Sequence, residues 1–446
     1  MADAAALHRA LVDGLVGRRC ISDARVEAAF RAVPRHLFLP GVPLADAYRD
    51  QAIPTKTVDG EAVSSSSQPE IMATMLEQLK LEPGLRVLEI GAGTGYNAAL
   101  MAHIVGEEGA VVTVDIDQDL VDGARDHLAT AGFDRVRVVL GDGGLGHRDG
   151  APYDRIILTV GAWDVAPAWR EQLGPNGRLV LPLMVGGSQK SVAFVHSSES
   201  PLGRRGPSPA AACGAHHAGN HLVSASVKEC LFMRLRGAFA APPFRASLDD
   251  GAGLHLYVRD PARVDPAAVR ALLAGAPVDL PTGVRVTGRE VYGGLVLWIA
   301  VRESGFCWLE AIGPESDAHP VPRLFALSGK YRSAAGVFEE GSAVFFMRPP
   351  GDPVPAEPER EPRPFELHVR GFGDGADTER LRRHARAWDG AGRPGTDGLR
   401  IRALPIDVDY TPTVHEQVIV KRWTRLVLDW PDHAGPDTSG SRYESR

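Results

Sequence analysis

Three acidic residues, each closing an apolar run, and a run of four serines are the side chains of this sequence placed to do chemistry. Residues 85–90 form an apolar stretch suited to a buried parallel strand, with Glu89 near its carboxyl end. It stops at Gly91-Ala92-Gly93-Thr94-Gly95-Tyr96, where glycines open backbone angles closed to other residues and let a ligand approach the main chain. Residues 97–102 follow as a good helix former. Residues 110–114 read as a second strand ending at Asp115-Ile116, and residues 136–140 as a third running into Gly141-Asp142-Gly143. An acid roughly 20 residues past a glycine loop is placed to accept hydrogen bonds from ribose hydroxyls. Ser64, Ser65, Ser66 and Ser67 stand just before a helical pattern, where hydroxyls at a helix N-terminus suit a carboxylate. The bland reading of such a run is a flexible linker.

These side chains need a scaffold. A strand, a glycine turn and a helix N-terminus make a crevice at the carboxyl end of a parallel sheet, the plan of a doubly wound α/β fold. Upstream, residues 5–33 read as two helices, with Ser22-Asp23 as a cap for the second. His36, in the Pro34-to-Pro40 block, reads as structural rather than catalytic. A turn signal falls at Asp59-Gly60, and residues 70–79 read as a helix. Residues 200–218, rich in Pro, Gly and Ala, read as a linker, and order resumes over 222–235. From about Phe244 the composition changes. Residues 253–258 and 295–301 read as strands and 266–273 as a short helix. Residues 349–364 read as extended and 377–388 as a helix whose arginines (Arg380, Arg382, Arg383, Arg386) form a solvated face. Residues 418–423 read as a last strand and 432–446 as a disordered tail.

At 446 residues, two or three domains are expected. With 44% hydrophobic residues the chain can bury a sizeable core, and a net charge of -7 speaks against nucleic acid as the main partner. Cys20, Cys213, Cys230 and Cys307 form no C-x-x-C pair, so neither a metal knuckle nor a disulfide framework is expected, and a reducing cytoplasm fits. The first residues lack the order of a signal peptide, and no apolar stretch reaches membrane-spanning length.

The dinucleotide fingerprint would need a third glycine where Tyr96 stands. G-x-G-x-G after an acid instead resembles the first motif of S-adenosylmethionine (SAM) methyltransferases. An ordinary glycine turn is the competing reading, and three strand-end acids in succession argue against it. The N-terminal block is more specific. Arg25-Val26-Glu27-Ala28-Ala29-Phe30-Arg31-Ala32-Val33-Pro34-Arg35-His36-Leu37-Phe38-Leu39-Pro40, then Ala47-Tyr48-Arg49-Asp50, then Ser67-Gln68-Pro69, resembles the protein L-isoaspartyl O-methyltransferase family. Gly141-Asp142-Gly143, Tyr153-Asp154-Arg155-Ile156-Ile157-Leu158-Thr159 and Leu173-Gly174-Pro175-Asn176-Gly177-Arg178-Leu179-Val180-Leu181-Pro182 continue the match, so it covers about residues 5–195.

The resemblance implies a Rossmann-like class I SAM-dependent methyltransferase fold, doubly wound with a mostly parallel sheet, over residues 1–200 with an N-terminal helical cap. Residues 201–244 then connect to an additional α+β domain at 245–430, expected to be separate and to recognise the peptide substrate, followed by a disordered tail at 431–446. It implies SAM held by Glu89, Gly91, Ala92, Gly93, Thr94, Gly95, Tyr96, Asp115, Ile116, Asp142 and Gly143, with Asp142 receiving the adenine amine. It implies an acceptor carboxylate on an aspartyl or isoaspartyl residue of a peptide or protein. Such a group is already ionised at neutral pH, with a reference pKa of about 3.9, so no general base is needed. By residue match Ser67 orients the carboxylate, and Ser64, Ser65 and Ser66 are further substrate-binding candidates. Which of the four faces it stays open. The C-terminal half is similar to extended family versions found beside ribosomal (lanthipeptide-type) peptide pathways. On that basis one dedicated precursor peptide is the first expectation, and general repair of isoaspartyl damage the alternative. A non-catalytic SAM-binding scaffold is the outside one. The ester formed is an activated acyl group, which the next backbone nitrogen can convert to a succinimide.

Overall fold

The computed structural model describes residues 3–58, 60–197, 221–249, 253–327, 329–353, 363–373 and 377–431. In chain order come α1 (Ala4–Gly17), α2 (Ala24–Ala32), α3 (Leu44–Ala47), and a hairpin of β1 (Ile53–Val58) and β2 (Glu61–Ser66). There follow α4 (Pro69–Leu79), β3 (Arg86–Ile90), α5 (Tyr96–Val105), β4 (Ala110–Asp115), α6 (Gln118–Thr130), β5 (Arg137–Leu140), β6 (Tyr153–Leu158) and α7 (Pro167–Gln172). Next are β7 (Leu173–Val185), β8 (Ser188–His196), β9 (Leu222–Glu229), β10 (Arg245–Ser247), β11 (Leu254–Tyr257), α8 (Pro266–Leu273), β12 (Val278–Val286) and α9 (Gly288–Glu290). The chain continues through α10 (Val296–Ala300), β13 (Phe306–Ile312), β14 (Phe325–Leu327), β15 (Tyr331–Glu339), β16 (Ser342–Met347) and β17 (Phe365–Phe372). It closes with α11 (Thr378–Gly390), β18 (Arg400–Pro405), β19 (Gln417–Val420) and β20 (Thr424–Asp429).

The apolar runs seen in the sequence become a parallel sheet in the order β5-β4-β3-β6-β7. Its strands are apolar on both faces because both are covered. Along β3, Val87 enters the core shared with α4, α5, α6 and the cap helices α1 and α2. Leu88 and Ile90 enter the opposite core, with Trp169 of α7. Asp23 caps α2 by accepting from the Arg25 amide at 2.9 Å, as the sequence suggests.

Beyond β7 the sheet changes character. β8, β9, β18, β20 and β19 add antiparallel, giving ten strands in the order β19-β20-β18-β9-β8-β7-β6-β3-β4-β5. The expected boundaries therefore shift. The first sheet does not end at residue 200: β9 lies inside the expected connecting segment, and β18–β20 lie inside the expected domain at 245–430. The cause is long-range. An open antiparallel edge at β9 presents unpaired backbone groups, and β18 satisfies them. Ile401, Ala403, Leu426 and Leu428 complete the core around Trp169.

The second unit is an antiparallel sheet, β10-β11-β13-β15-β16-β17-β12 with β14 on β15, around a core running from Leu248 to Trp388. α8 matches the expected helix, capped by Asp265. The expected strand at 295–301 is not one: a π-helical turn (Val291–Leu295) leads into α10. This segment is apolar on all sides because it lies between two cores, Leu297 reaching the first and Val296, Ile299 and Ala300 the second. The basic face of α11 is paired: Arg380 bonds Glu303 and Glu339, and Arg382 bonds Glu379. The linker over 200–218, Asp59 of the turn signal, Cys213, most of the proline-rich stretch and the tail at 432–446 lie outside the described residues.

Candidate active site

The strand order reverses at β3, which has β4 on one side and β6 on the other, so a crevice opens at their carboxyl ends. Glu89 is fully buried there and accepts from Asn97 Nδ2 and Thr113 Oγ1, both at 2.7 Å. Burial pushes its carboxyl up to about 7, and the two donated bonds oppose that rise. Gly91 has φ 100°, and a Cβ there would stand 2.6 Å from Thr159 Oγ1, so only glycine fits. Asp115 is buried and accepts from the Gly93 amide at 3.0 Å and the Asp117 amide at 3.3 Å. It thus holds the glycine loop, each oxygen keeping lone pairs for a ligand hydroxyl. Ile116, next to it, is 37% exposed, an apolar surface at the crevice mouth.

Asp142 stands on the neighbouring loop and accepts from the Gly144 amide at 2.9 Å and the Ala238 amide at 2.6 Å. Gly143 packs so tightly on Ile90 that a Cβ would lie 2.3 Å from its Cγ2. Ala238 belongs to a strap, residues 236–239, that the sequence pattern does not place here. Arg236 bonds Asp117 at 2.7 Å, and Lys56 of β1 bonds the same carboxylate at 2.9 Å. Hairpin, α6 start and strap therefore meet over the Asp115 end of the crevice. The strap holds a single glycine, Gly237, where a Cβ would stand 2.4 Å from Asp142 Oδ2, and no acid, so spacing alone could not reveal it.

The serine run is a strand end, not a linker. Ser64, Ser65 and Ser66 lie in β2, and Ser67 joins it to α4. Ser64 Oγ accepts from Thr55 Oγ1 at 3.0 Å, and Ser66 Oγ accepts from Arg35 at 3.3 Å, both serines being buried. Ser65 takes the alternate face of the strand, and Ser67 follows in the connection to α4. Among the described residues no hydrogen bond is made by either hydroxyl, and the Ser65 carbonyl lies 3.6 Å from where a Gly93 Cβ would stand. The run is therefore beside the glycine loop. Its backbone is fixed by Arg35, fully buried, which donates to the carbonyls of Ala47, Arg49, Gln51, Ser66 and Ser67 at 3.0–3.3 Å. Burial lowers the pKa of this guanidinium. Asp50 caps α4 from a distance, accepting from the Glu70 amide at 2.9 Å. Arg35 escaped functional notice because its carbonyl partners lie 12 to 32 residues away.

Two expected ligand contacts point elsewhere. The Tyr96 side chain is buried against Phe30 and Phe38, with ring centroids at 6.3 and 5.4 Å, so only its backbone borders the glycine loop. Ala92 joins the same core, while Thr94 offers its carbonyl to His127 at 3.0 Å. His36 bonds the Tyr48 hydroxyl at 2.6 Å within the cap. Among the described residues no group of three His, Cys, Asp or Glu side chains is placed to hold a metal, and no helix is long and apolar enough to cross a membrane.

The family model of protein-L-isoaspartate(D-aspartate) O-methyltransferase matches residues 6–203. A protein-L-isoaspartate O-methyltransferase of Methanococcoides burtonii is 43% identical over 182 residues, 40% of this chain and 84% of that protein. One of Thermotoga maritima is 40% identical over 182 residues, 41% of this chain but only 57% of its own length. A solved structure titled protein-L-isoaspartate O-methyltransferase aligns over 89% of this chain and 96% of its own, at 22% identity and a TM-score of 0.45.

Proposed function

This chain belongs to the protein-L-isoaspartate(D-aspartate) O-methyltransferase family, and from that membership we propose that it methylates the free carboxylate of isoaspartyl residues in proteins, with SAM as donor. The observation that carries the reading is the serine run, held by Arg35 against the glycine loop of a SAM-type crevice. When bound, SAM supplies a methyl group on a sulfonium. Its ribose is assigned to Asp115 and its adenine side to Ile116, Asp142 and Gly143. Asn97 Oδ1 is buried without a hydrogen-bond partner among the described residues, an acceptor suited to the ammonium of the donor's amino-acid part. The chain's own work is to align the acceptor oxygen and keep water out. Ser67, its hydroxyl unclaimed, donates to one carboxylate oxygen and leaves the other free to attack.

The dedicated-precursor reading falls to second place: the relatives above are named for protein-L-isoaspartate, and none names a precursor peptide. The second unit is read as part of the folded enzyme, because the chain returns from it to complete the first sheet. A cytoplasmic setting suits Cys20, Cys230 and Cys307, all free thiols. The test offers isotope-labelled SAM and an isoaspartyl peptide to the full-length protein. Base-labile label should appear in the peptide. Ser67→Ala should keep SAM affinity and lose roughly 10²-fold in turnover, the scale for a positioned donor acting in the transition state. Unchanged turnover would move the role to Ser65 or the backbone, and no label on the isoaspartyl peptide would remove the reading.

A further inference from the structure

The turn between β19 and β20, residues 421–423, is fastened to the walls of the crevice although it lies some way beyond the matched family region. Asp164, buried on the loop after β6, accepts from the Trp423 amide at 2.8 Å and from its neighbour Val165 at 2.7 Å. Arg170 of α7 donates to the Trp423 carbonyl at 3.3 Å, and Thr424 Oγ1 donates to the Val165 carbonyl at 3.2 Å. The buried Lys421 ammonium donates to the carbonyls of Trp163 and Met184. A turn held at this many points has one position, and it sets the Trp423 ring 4.4 Å from that of Phe239.

Phe239 lies in the strap. Its ring faces Trp169 at 6.4 Å and covers Gly144 so closely that a Cβ there would stand 2.2 Å from Phe239 Cδ2. Trp169 Nε1 in turn donates to the Gly143 carbonyl at 2.9 Å. One residue before Phe239, the Ala238 amide grips Asp142. Trp423, Phe239, the strap and the Asp142-Gly143-Gly144 loop are therefore one contiguous stack.

We infer that Trp423 is a positioning residue for the cofactor crevice, acting through Phe239 on the Asp142 loop. The inference rests on the assignment of this crevice to SAM. The C-terminal strands then do more than close the sheet: they set the shape of the adenine-side wall from about 280 residues downstream. Removing the ring frees Phe239 to leave Gly144, and the Ala238 grip on Asp142 loosens with it. An aromatic pair of this kind is worth about 3- to 10-fold in an equilibrium constant.

The test is calorimetric titration of S-adenosylhomocysteine, the demethylated donor, into the full-length protein, Trp423→Ala and Trp423→Phe. Trp423→Ala should raise Kd about 3- to 10-fold, with KM for the isoaspartyl peptide unchanged. Trp423→Phe should restore most of the affinity, which a general loss of stability would not predict. If Trp423→Ala does not fold, Trp423→Leu, Phe239→Leu and their double variant replace it. The double variant should bind no worse than the weaker single one, and additive losses would overturn the coupling. Wild-type affinity in a folded Trp423→Ala would also overturn it. Absence of binding by the wild type would strike the SAM assignment instead.

Discussion

At the scale of single residues, Glu89 is a fully buried carboxyl held by two donated hydrogen bonds. Its pKa stands at about 7 against an ordinary 4.5 because burial outweighs the bonds from Asn97 and Thr113. The folded state then binds more protons than the unfolded state between those values. Stability should be fully present below pH 4.5 and fall as pH rises through about 7. The effect has an upper size of about 3 kcal/mol, at 1.36 kcal/mol per pKa unit. Glu89→Gln should flatten this slope, read as urea midpoints between pH 4.5 and 8. A parallel pH profile in the variant would show that Glu89 keeps its charge without cost. Glu89 and Asp115 were legible from sequence because each ends an apolar run. Arg35 was not, because its role is defined by carbonyls that only the fold gathers.

At the scale of elements, the hairpin β1–β2 and the start of α4 are placed by Arg35 and Asp50. Arg35→Ala would leave five buried or half-buried carbonyls without their donor. A loss of about 3 kcal/mol or more is expected, since hydrogen bonds to a charged group are worth roughly 1.5–3 kcal/mol each and share one side chain. Arg35→Lys should not rescue it, because an ammonium lacks the planar fork that reaches carbonyls on several segments. Denaturant unfolding reads both variants, and recovery by lysine would show that charge alone matters. By composition the serine run reads as a possible linker. β-pairing with β1 made it a strand, with Ser64 and Ser66 on the bonded face, Ser65 on the other, and Ser67 in the connection to α4.

At the scale of the whole molecule, the two sheets are interleaved in sequence. The chain leaves the first sheet after β9, builds the second, and returns for β18–β20. A truncation near Leu235 should therefore not yield an independent methyltransferase core. It would strip Ile401, Ala403, Leu426, Leu428 and Trp430 from the core they share with Trp169 and Phe194. It would also expose the β9 edge that Ala403 and Arg402 cover through Leu222 and Val223. Several large apolar side chains at roughly 1.5–3 kcal/mol each exceed the usual margin of stability. The expected outcome is an insoluble or non-cooperatively unfolding fragment by circular dichroism. A fragment that melts cooperatively and binds S-adenosylhomocysteine would show the later strands to be dispensable.

The sequence by itself determined the parallel core, its glycine loop and the acids at its strand ends. These are local patterns: a period of hydrophobicity, a backbone angle, a charge where a strand stops. It also carried the N-terminal block that marks the family. Only the tertiary structure decided that residues 400–429 belong with the first sheet, that 291–300 is helical, and that a strap reaches Asp142. Strand pairing and ring stacking join positions hundreds of residues apart, and an apolar run states that it will be buried without stating against what. Arg402 opposite Val223 and Trp423 against Phe239 are such matches, chosen by which edges and faces the folded chain leaves uncovered.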